Sequence, residues 1–442
     1  MDDQQKYSYM IDSIKKEHTQ NVRDMIEEFG LSFCPLLDDG HELLSAAVER
    51  NQVEMVAYLL RKNAKVNSDR EVLSPLQIAA MLNNTIIFKL LLEHGAKISD
   101  YNIYQNNSLI KLAVELGNVD IAKLIVEHKN FGKKYDQFLL HTAVKNDSFP
   151  MVTFLLEIGM DVNEYDNDRL APIHHALIVD NYDILQLLLN YGADVNAKNK
   201  YGDTPVSMVL MLPNTGYFES SDIFGVSIFG NTQNKSKLDI LLDNDADING
   251  LDIRKYFPPI HRRLLRLHFS ANGGVESGTT RNKQSIIKHI VKLRSRNAPL
   301  SETNNILLSS LLEEKPLDDY KKICELEMSK IITEKIPNSG LSLHNILSKN
   351  SHVLAAYAKN KNHETFIFSD EVSRRFPIYG SVIKLRFSKG LARKNLLEKS
   401  TTIFYDLFPV ASKLLSNAVD NVFECLDNND LRHFLRMFQQ DN

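Results

Sequence analysis

The sequence predicts an all-α fold: a solenoid of stacked helix pairs followed by a helical C-terminal domain. Three observations carry that expectation. The phrase Leu187-Leu188-Leu189-Asn190-Tyr191-Gly192-Ala193-Asp194-Val195-Asn196 recurs in altered form at 58–67, 90–99, 154–163 and 241–249. Anchored on the position of Gly192, its earlier members fall at Asn63, Gly95 and Gly159, at spacings of 32, 64 and 33 residues. A period near 33 is the mark of stacked helix-pair units rather than of one globular core. Within a unit the apolar residues follow helical spacing, and after Leu300 the period is lost while helical patterning continues.

The elements follow in chain order. Residues 8–30 read as a degenerate leading helix pair, the polar cap a solenoid needs, so 1–35 is expected to form N-terminal capping helices. Residues 36–300 carry about six to seven units. The unit at 172–196 shows the logic. A short, small-residue stretch, Pro172-Ile173-His174-His175-Ala176-Leu177, precedes a second stretch with an apolar stripe at Ile184, Leu185, Leu188 and Leu189. Two antiparallel helices fit, joined by a turn at Val179-Asp180-Asn181, with Ala176 letting them approach. Gly192 ends the second helix, where a positive φ costs glycine little. Residues 194–199 then form the turn to the next unit.

These residues resemble the ankyrin repeat, whose motif reads roughly T-P-L-H-x-A-A, a gap, then V-V-x-L-L-L-x-x-G-A-D-V-N. Ser74-Pro75-Leu76-Gln77-Ile78-Ala79-Ala80 with the run 87–96 matches well, as does the unit above. The match is fair for 44–67, 110–128 and 140–163. A sixth unit opens with Gly202-Asp203-Thr204-Pro205, is interrupted at 213–234 and resumes at 238–242. A seventh starts at Pro259-Ile260-His261, is interrupted at 270–283 and ends at 286–298. The resemblance implies protein binding through turn tips and the concave face. It also makes Asn67, Asn163, Asn196 and Asn249, each eight residues after a leucine, candidate substrates of an asparaginyl hydroxylase. The plainer role for them is to fix the turn through side-chain bonds to the backbone.

Candidate partner-binding residues are Asp166, Asn199, Tyr201 and Asp203 in the inter-unit turns, and Tyr217, Phe218 and Phe224 in the first interruption. An aromatic-bearing loop on a rigid array is a contact element; the alternative is a loop whose aromatics cover neighbouring helices. The second interruption, with Gly273-Gly274 and Gly278-Thr279-Thr280, lacks the spacing of a phosphate-binding loop.

Residues 316–442 pattern as helices at 317–332, 341–359, 376–399 and 419–438. Three blocks here resemble the PRANC region, the F-box-like module that follows ankyrin repeats in poxviral host-range proteins and in relatives from parasitoid wasps. The first is Tyr320-Lys321-Lys322-Ile323-Cys324-Glu325-Leu326-Glu327-Met328. The second is Phe376-Pro377-Ile378-Tyr379-Gly380 running into Phe387-Ser388-Lys389-Gly390-Leu391-Ala392-Arg393-Lys394-Asn395-Leu396-Leu397. The third is Val422-Phe423-Glu424-Cys425-Leu426-Asp427-Asn428-Asn429-Asp430-Leu431. The resemblance implies that the last block docks a Skp-type adaptor of a cullin ubiquitin ligase. Its pattern is L-P-x-E-[IL], a helix, then I-[LF]-x-x-L-x-x-x-D-L. Val422, Phe423, Leu426, Asp430 and Leu431 keep the second half. The first half has neither proline nor acid at Leu414-Leu415-Ser416-Asn417, and Pro409 in Leu407-Phe408-Pro409 substitutes only in a shifted register. The alternative is a terminal amphipathic helix packed on the array, with Phe423, Leu426, Leu431 and Phe434 as core.

Composition bounds the function. The chain has 442 residues, 43% hydrophobic and 24% charged, as folded proteins do. Cys34, Cys324 and Cys425 are too scattered for a disulfide framework or a zinc site, which points to a reducing, cytoplasmic or nuclear, compartment. The start, Met1-Asp2-Asp3, lacks the features of a signal peptide, and no apolar run approaches the ~18 residues of a membrane span. The net charge of −4 divides unevenly: residues 1–250 hold 22 Lys and Arg against 36 Asp and Glu, and residues 251–442 hold 30 against 20. The basic runs are Arg262, Arg263, Arg266, Lys288, Lys292, Arg294 and Arg296, then Arg374, Arg375, Lys384, Arg386, Lys389, Arg393 and Lys394. No stacking aromatics or DNA-binding motif accompany them, so they suit an acidic face better than nucleic acid. No catalytic, cofactor or metal motif occurs. His141 and His174 occupy the histidine position of the repeat, where they hydrogen-bond between turns.

The expected function is a non-enzymatic adaptor that binds a target protein and brings it to a ubiquitin ligase. The resemblance implies a target in host innate signalling, such as the NF-κB pathway. The alternative is a scaffold or blocking protein whose C-terminal region is a structural cap.

Overall fold

The computed structural model describes residues 3–31, 40–67, 73–98, 108–128, 138–179, 181–211, 236–251, 278–311, 315–408 and 416–438. The chain divides into two compact units, Met1–Leu155 and Leu156–Asn442. The described residues are helical; the extended pairing among them is a single antiparallel bridge between Lys335 and Ser342.

In the first unit, helices α1 (Asp3–Lys15) and α2 (Thr19–Phe29) precede the pairs α3 (His41–Glu49) and α4 (Val53–Arg61), α5 (Pro75–Met81) and α6 (Thr85–Glu93), and α7 (Leu109–Glu115) and α8 (Val119–Glu127). The pair α9 (Leu139–Lys145) and α10 (Phe149–Glu157) follows. Local chemistry starts the helices. The Ser74 hydroxyl accepts the Gln77 N–H while the Gln77 side chain accepts the Ser74 N–H, a reciprocal cap. Asn84 and Ser108 cap α6 and α7 through side-chain oxygens. Each pair turns on a residue with positive φ: Asn51, Asn83, Gly117 and Asp147. The inward stripes, such as Ile87, Phe88 and Leu91 of α6, are fully buried. Burying each such side chain contributes about 1.5–3 kcal/mol.

The position of Gly192 sets the period in backbone terms. Gly95, Gly159 and Gly192 have φ of 84°, 87° and 89°, and Asn63, Asp245 and Asn297 take the same place at 64°, 65° and 55°. Short polar side chains tolerate this left-handed conformation, so units without the glycine keep the geometry.

The second unit continues with α11 (Pro172–Val179), α12 (Tyr182–Asn190), α13 (Pro205–Met211), α14 (Lys237–Asp243), α15 (Gly278–Ser295) and α16 (Glu302–Leu311). Val179 belongs to α11 rather than to the turn expected there. The C-terminal helices are α17 (Lys315–Thr333), α18 (Leu343–Ser348), α19 (Ser351–Ala358), α20 (Lys361–Ile367), α21 (Asp370–Arg375), α22 (Gly380–Leu407), α23 (Ser416–Cys425) and α24 (Asn428–Phe438). The helix expected at 341–359 is broken in two because the Asn350 side chain accepts the Val353 N–H at 3.1 Å and starts a new helix. The one expected at 419–438 breaks at Asp427 and Asp430, which accept each other's backbone N–H at 2.8 and 3.1 Å. The helix expected at 376–399 begins only at Gly380, after Pro377, and runs on to Leu407.

The C-terminal core gathers around α22. Met328, Ile331, Ile346, Leu354, Phe376, Tyr379, Ile383 and Phe387 belong to one buried cluster. Helix α19 crosses α22 at Gly390, where an added Cβ would lie 2.5 Å from the Leu354 Cβ and 2.7 Å from its carbonyl carbon. Only glycine allows this approach.

Candidate protein-binding and docking surfaces

The inter-unit turns are built by their own side chains. Asp166 Oδ1 accepts the N–H groups of Asp168 at 3.0 Å and Leu170 at 2.9 Å, and Oδ2 pairs with His175 Nε2 at 2.8 Å. Asn199, 33 residues on, accepts the N–H groups of Tyr201 and Asp203 at 2.8 and 2.9 Å. Burial pushes the Asp166 pKa up, but the hydrogen bonds from Leu170 and His175 outweigh it and hold it at about 2. Asp166 and Asn199 therefore shape the turns from within. Tyr201 stands at the tip, 77% exposed, and Lys200 reaches across to Asp168 at 2.8 Å while lying 5.3 Å from the Tyr201 ring centre. A pre-ordered tip with an exposed aromatic would lose little further chain entropy in a contact.

Asparagine side chains clamp successive turns. Asn67 donates to Gly95 O at 2.8 Å and accepts from Lys97 N–H at 2.9 Å. Asn163 does the same with Gly192 O and Asp194 N–H at 3.1 and 2.7 Å. Asn196 accepts from Asp247 N–H at 2.8 Å, and Asn249 from Ser301 N–H at 2.8 Å. The ladder thus spans both interruptions. His174 Nδ1 accepts the Ala171 N–H, so its proton lies on Nε2, 3.1 Å from Ala197 O. Burial lowers its pKa, and it is a neutral structural strut.

Helix α13 ends at Met211 and α14 begins at Lys237, and the first interruption falls in sequence between them. Tyr217, Phe218 and Phe224 themselves lie outside the described residues, as does Pro409.

The three C-terminal blocks meet through two buried charges. Glu327, 5% exposed, accepts the N–H groups of Ile378 at 3.0 Å and Tyr379 at 2.8 Å, joining the first block to the start of α22. Burial raises its pKa, while those two bonds oppose the rise. Arg393, 1% exposed, donates to Glu424 O, Leu426 O and Asn428 Oδ1 at 3.0, 2.6 and 2.8 Å, joining the second block to the third. Phe423 and Leu431 are buried, with the Phe423 ring centre 5.8 Å from Phe404 and 4.9 Å from Phe434. Asp430 is exposed and spends its carboxylate on the turn. Val422 is 61% exposed, Cys425 is exposed, and Val419 and Leu426 are half-buried. Val419, Val422 and Cys425 recur every three residues along one face of α23, and Leu426 directly follows the helix.

The basic runs face acids and carbonyls of the same chain. Helix α22 packs on α12 and α14. Arg386 pairs with Asp245, and Lys292 lies 3.8 Å from Asp243. Arg296 donates to Leu347 O at 3.2 Å, and Arg375 pairs with Glu334 at 2.8 Å. Arg262, Arg263 and Arg266 lie outside the described residues. Glu327, Arg393 and Arg432 were not singled out from the sequence as anchors, because no local pattern separates a charge that will be buried from one that will be solvated. No described helix is long and apolar enough to cross a membrane.

A family profile described as ankyrin repeats (3 copies) matches residues 10–102 and 109–199. Those residues are ankyrin repeats. The array is an all-α ankyrin solenoid, a surface for protein–protein interaction. The chain is similar to the ankyrin repeat protein FPV115 of fowlpox virus (strain NVSL), at 35% identity over 39% of this chain and 29% of that protein. A second fowlpox ankyrin repeat protein, FPV232, aligns at 26% identity over 84% of each chain. The chain spans less than half of the first two curated relatives it matches, 29% and 43% of their lengths. Among solved structures, the ankyrin repeat domain of Bcl-3, a member of the IkappaB protein family, matches 45% of this chain and 92% of its own, at 21% identity and a TM-score of 0.38. The human ASB11 ankyrin repeat domain matches 45% of this chain and 90% of its own, at 22% identity and a TM-score of 0.37.

Proposed function

We propose that the protein is a non-enzymatic adaptor. Residues 1–35 would cap the array, 36–300 would bind a target protein, and 316–442 would form the F-box-like module that docks a Skp-type adaptor. The turn built by Asp166 and Asn199 supports target binding at Tyr201, Lys200 and Asp168. The observation that carries the docking half is the stripe of Val419, Val422 and Cys425 on α23, followed by Leu426 just past its end, at the start of the block whose pattern resembles the end of an F-box. The resemblance to poxviral host-range proteins supports a target in innate signalling, such as the NF-κB pathway.

Pulldown of the purified chain with the Skp-type adaptor tests this reading. Val422→Asp with Leu426→Asp should abolish capture without changing helix content. Capture that survives the double change, or is missing from the native chain, would sink the docking half. The second reading, a blocking protein with a C-terminal cap, is favoured by a different observation: Phe423 and Leu431 are spent on the chain's own core. It requires target binding with no adaptor capture.

A further inference from the structure

Helix α24 carries one residue of unusual placement against the array. Arg432 is 8% exposed, and its guanidinium lies 5.0 Å from the centre of the Tyr191 ring. Tyr191 directly precedes Gly192, whose carbonyl is held by Asn163, so the contact sits where two successive turns are clamped. Asp161 and Asp427 add their negative fields, while burial and the loss of water work against the charge. A cation desolvated on an aromatic face is one way proteins recognise arginine.

We propose that the Tyr191 ring is an arginine-reading site which the free chain fills with its own Arg432. The hairpin of α23 and α24 is thereby strapped to the turns joining successive repeats. A target segment that offers an arginine to Tyr191 takes the place of Arg432 and frees the strap. Target engagement at the array is thus coupled to the mobility of the hairpin. The consequence for adaptor docking rests on the function proposed above, but the strap itself does not.

Amide hydrogen exchange of the full chain tests it. Arg432→Ala and Tyr191→Ala should each raise exchange across 428–438 by about tenfold and leave α11 and α12 unchanged, since opening would be local. N-acetyl-arginine amide competes against a tethered group of millimolar effective concentration, so it is added at roughly 50 mM. It should raise exchange of 428–438 in the native chain and add nothing in Arg432→Ala; N-acetyl-lysine amide should do neither. Native-like exchange in Arg432→Ala overturns the proposal, as does a rise spread over all of 156–408, which would make Arg432 ordinary core. Equal effects of the two amides overturn the arginine reading. Adaptor capture is scored separately: faster exchange with no capture refutes docking and leaves the strap standing.

Discussion

The turns of the array and the helices of the C-terminal region solve the same problem by opposite means. In the turns, Asn67, Asn163, Asn196 and Asn249 repeat one small device, a side-chain amide bonded to the backbone of the next turn. Each clamp is local to two neighbouring units, and losing one leaves the others. In the C-terminal region each contact is made once and by a different kind of residue. Glu327 reaches Tyr379, Arg393 reaches Leu426, and Gly390 admits Leu354. Repetition distributes stability, while unique contacts concentrate it, and the contrast makes unequal sensitivity to mutation the expected behaviour.

The largest expected effect is at Gly390. Gly390→Leu drives a side chain into the backbone of α19 and should cost about 4 kcal/mol or more, seen as loss of cooperative denaturant unfolding of residues 156–442. An effect below about 1 kcal/mol would mean the crossing is looser than the structure shows. Next is Arg393→Met, which leaves two carbonyls and an amide oxygen without their donor. About 3 kcal/mol is expected, with exchange rising first in 416–438. Asn163→Ala removes two bonds between turns and should cost about 1–2 kcal/mol, confined to the flanking repeats. Equal costs for Asn163→Ala and Arg393→Met would break the contrast.

Asp166 gives a pH test of smaller size. Its folded pKa, about 2, lies below the ordinary carboxylate value of 3.8. Its stabilising contribution is therefore fully present above that ordinary value and is lost as pH falls toward 2. Asp166→Asn should be less stable than the native chain near neutral pH, with the difference shrinking across that acid window in chemical denaturation. A gap that stays constant with pH would sink the assignment. Smallest in stability is Tyr201→Ala, expected within about 0.5 kcal/mol of the native chain. Its effect should appear instead as weaker target capture; unchanged capture would remove the tip from the binding surface.

Much of the array was legible because its signals are local. Gly192 announced a left-handed cap, and the apolar stripe of α12 announced its inward face. Units with Asn63, Asp245 or Asn297 at the cap keep the turn of the glycine units, since a short polar side chain reaches the same φ. The C-terminal helices were legible as helical patterning but not in their bounds. Asn350 and Asp427 look like ordinary helix-surface residues until their side chains are seen to start new helices. Nothing marked α20 and α21, which are too short to show a period. The candidate turn residues divided in a way the sequence did not reveal: Asp166 and Asn199 are consumed in shaping the turns, and Tyr201 is left outside.

By itself the sequence determined the period, the helix pairs and their caps, because each is set by residues within about one repeat of one another. It also placed the acidic excess in the first 250 residues and the basic excess after them. Only the tertiary structure decided which charges pay desolvation. Asp245 takes Arg386, Glu327 takes the start of α22, Arg393 closes the hairpin, and Arg432 lies on Tyr191. A buried charge is tolerable only where a partner waits, and the partner's position depends on the whole fold.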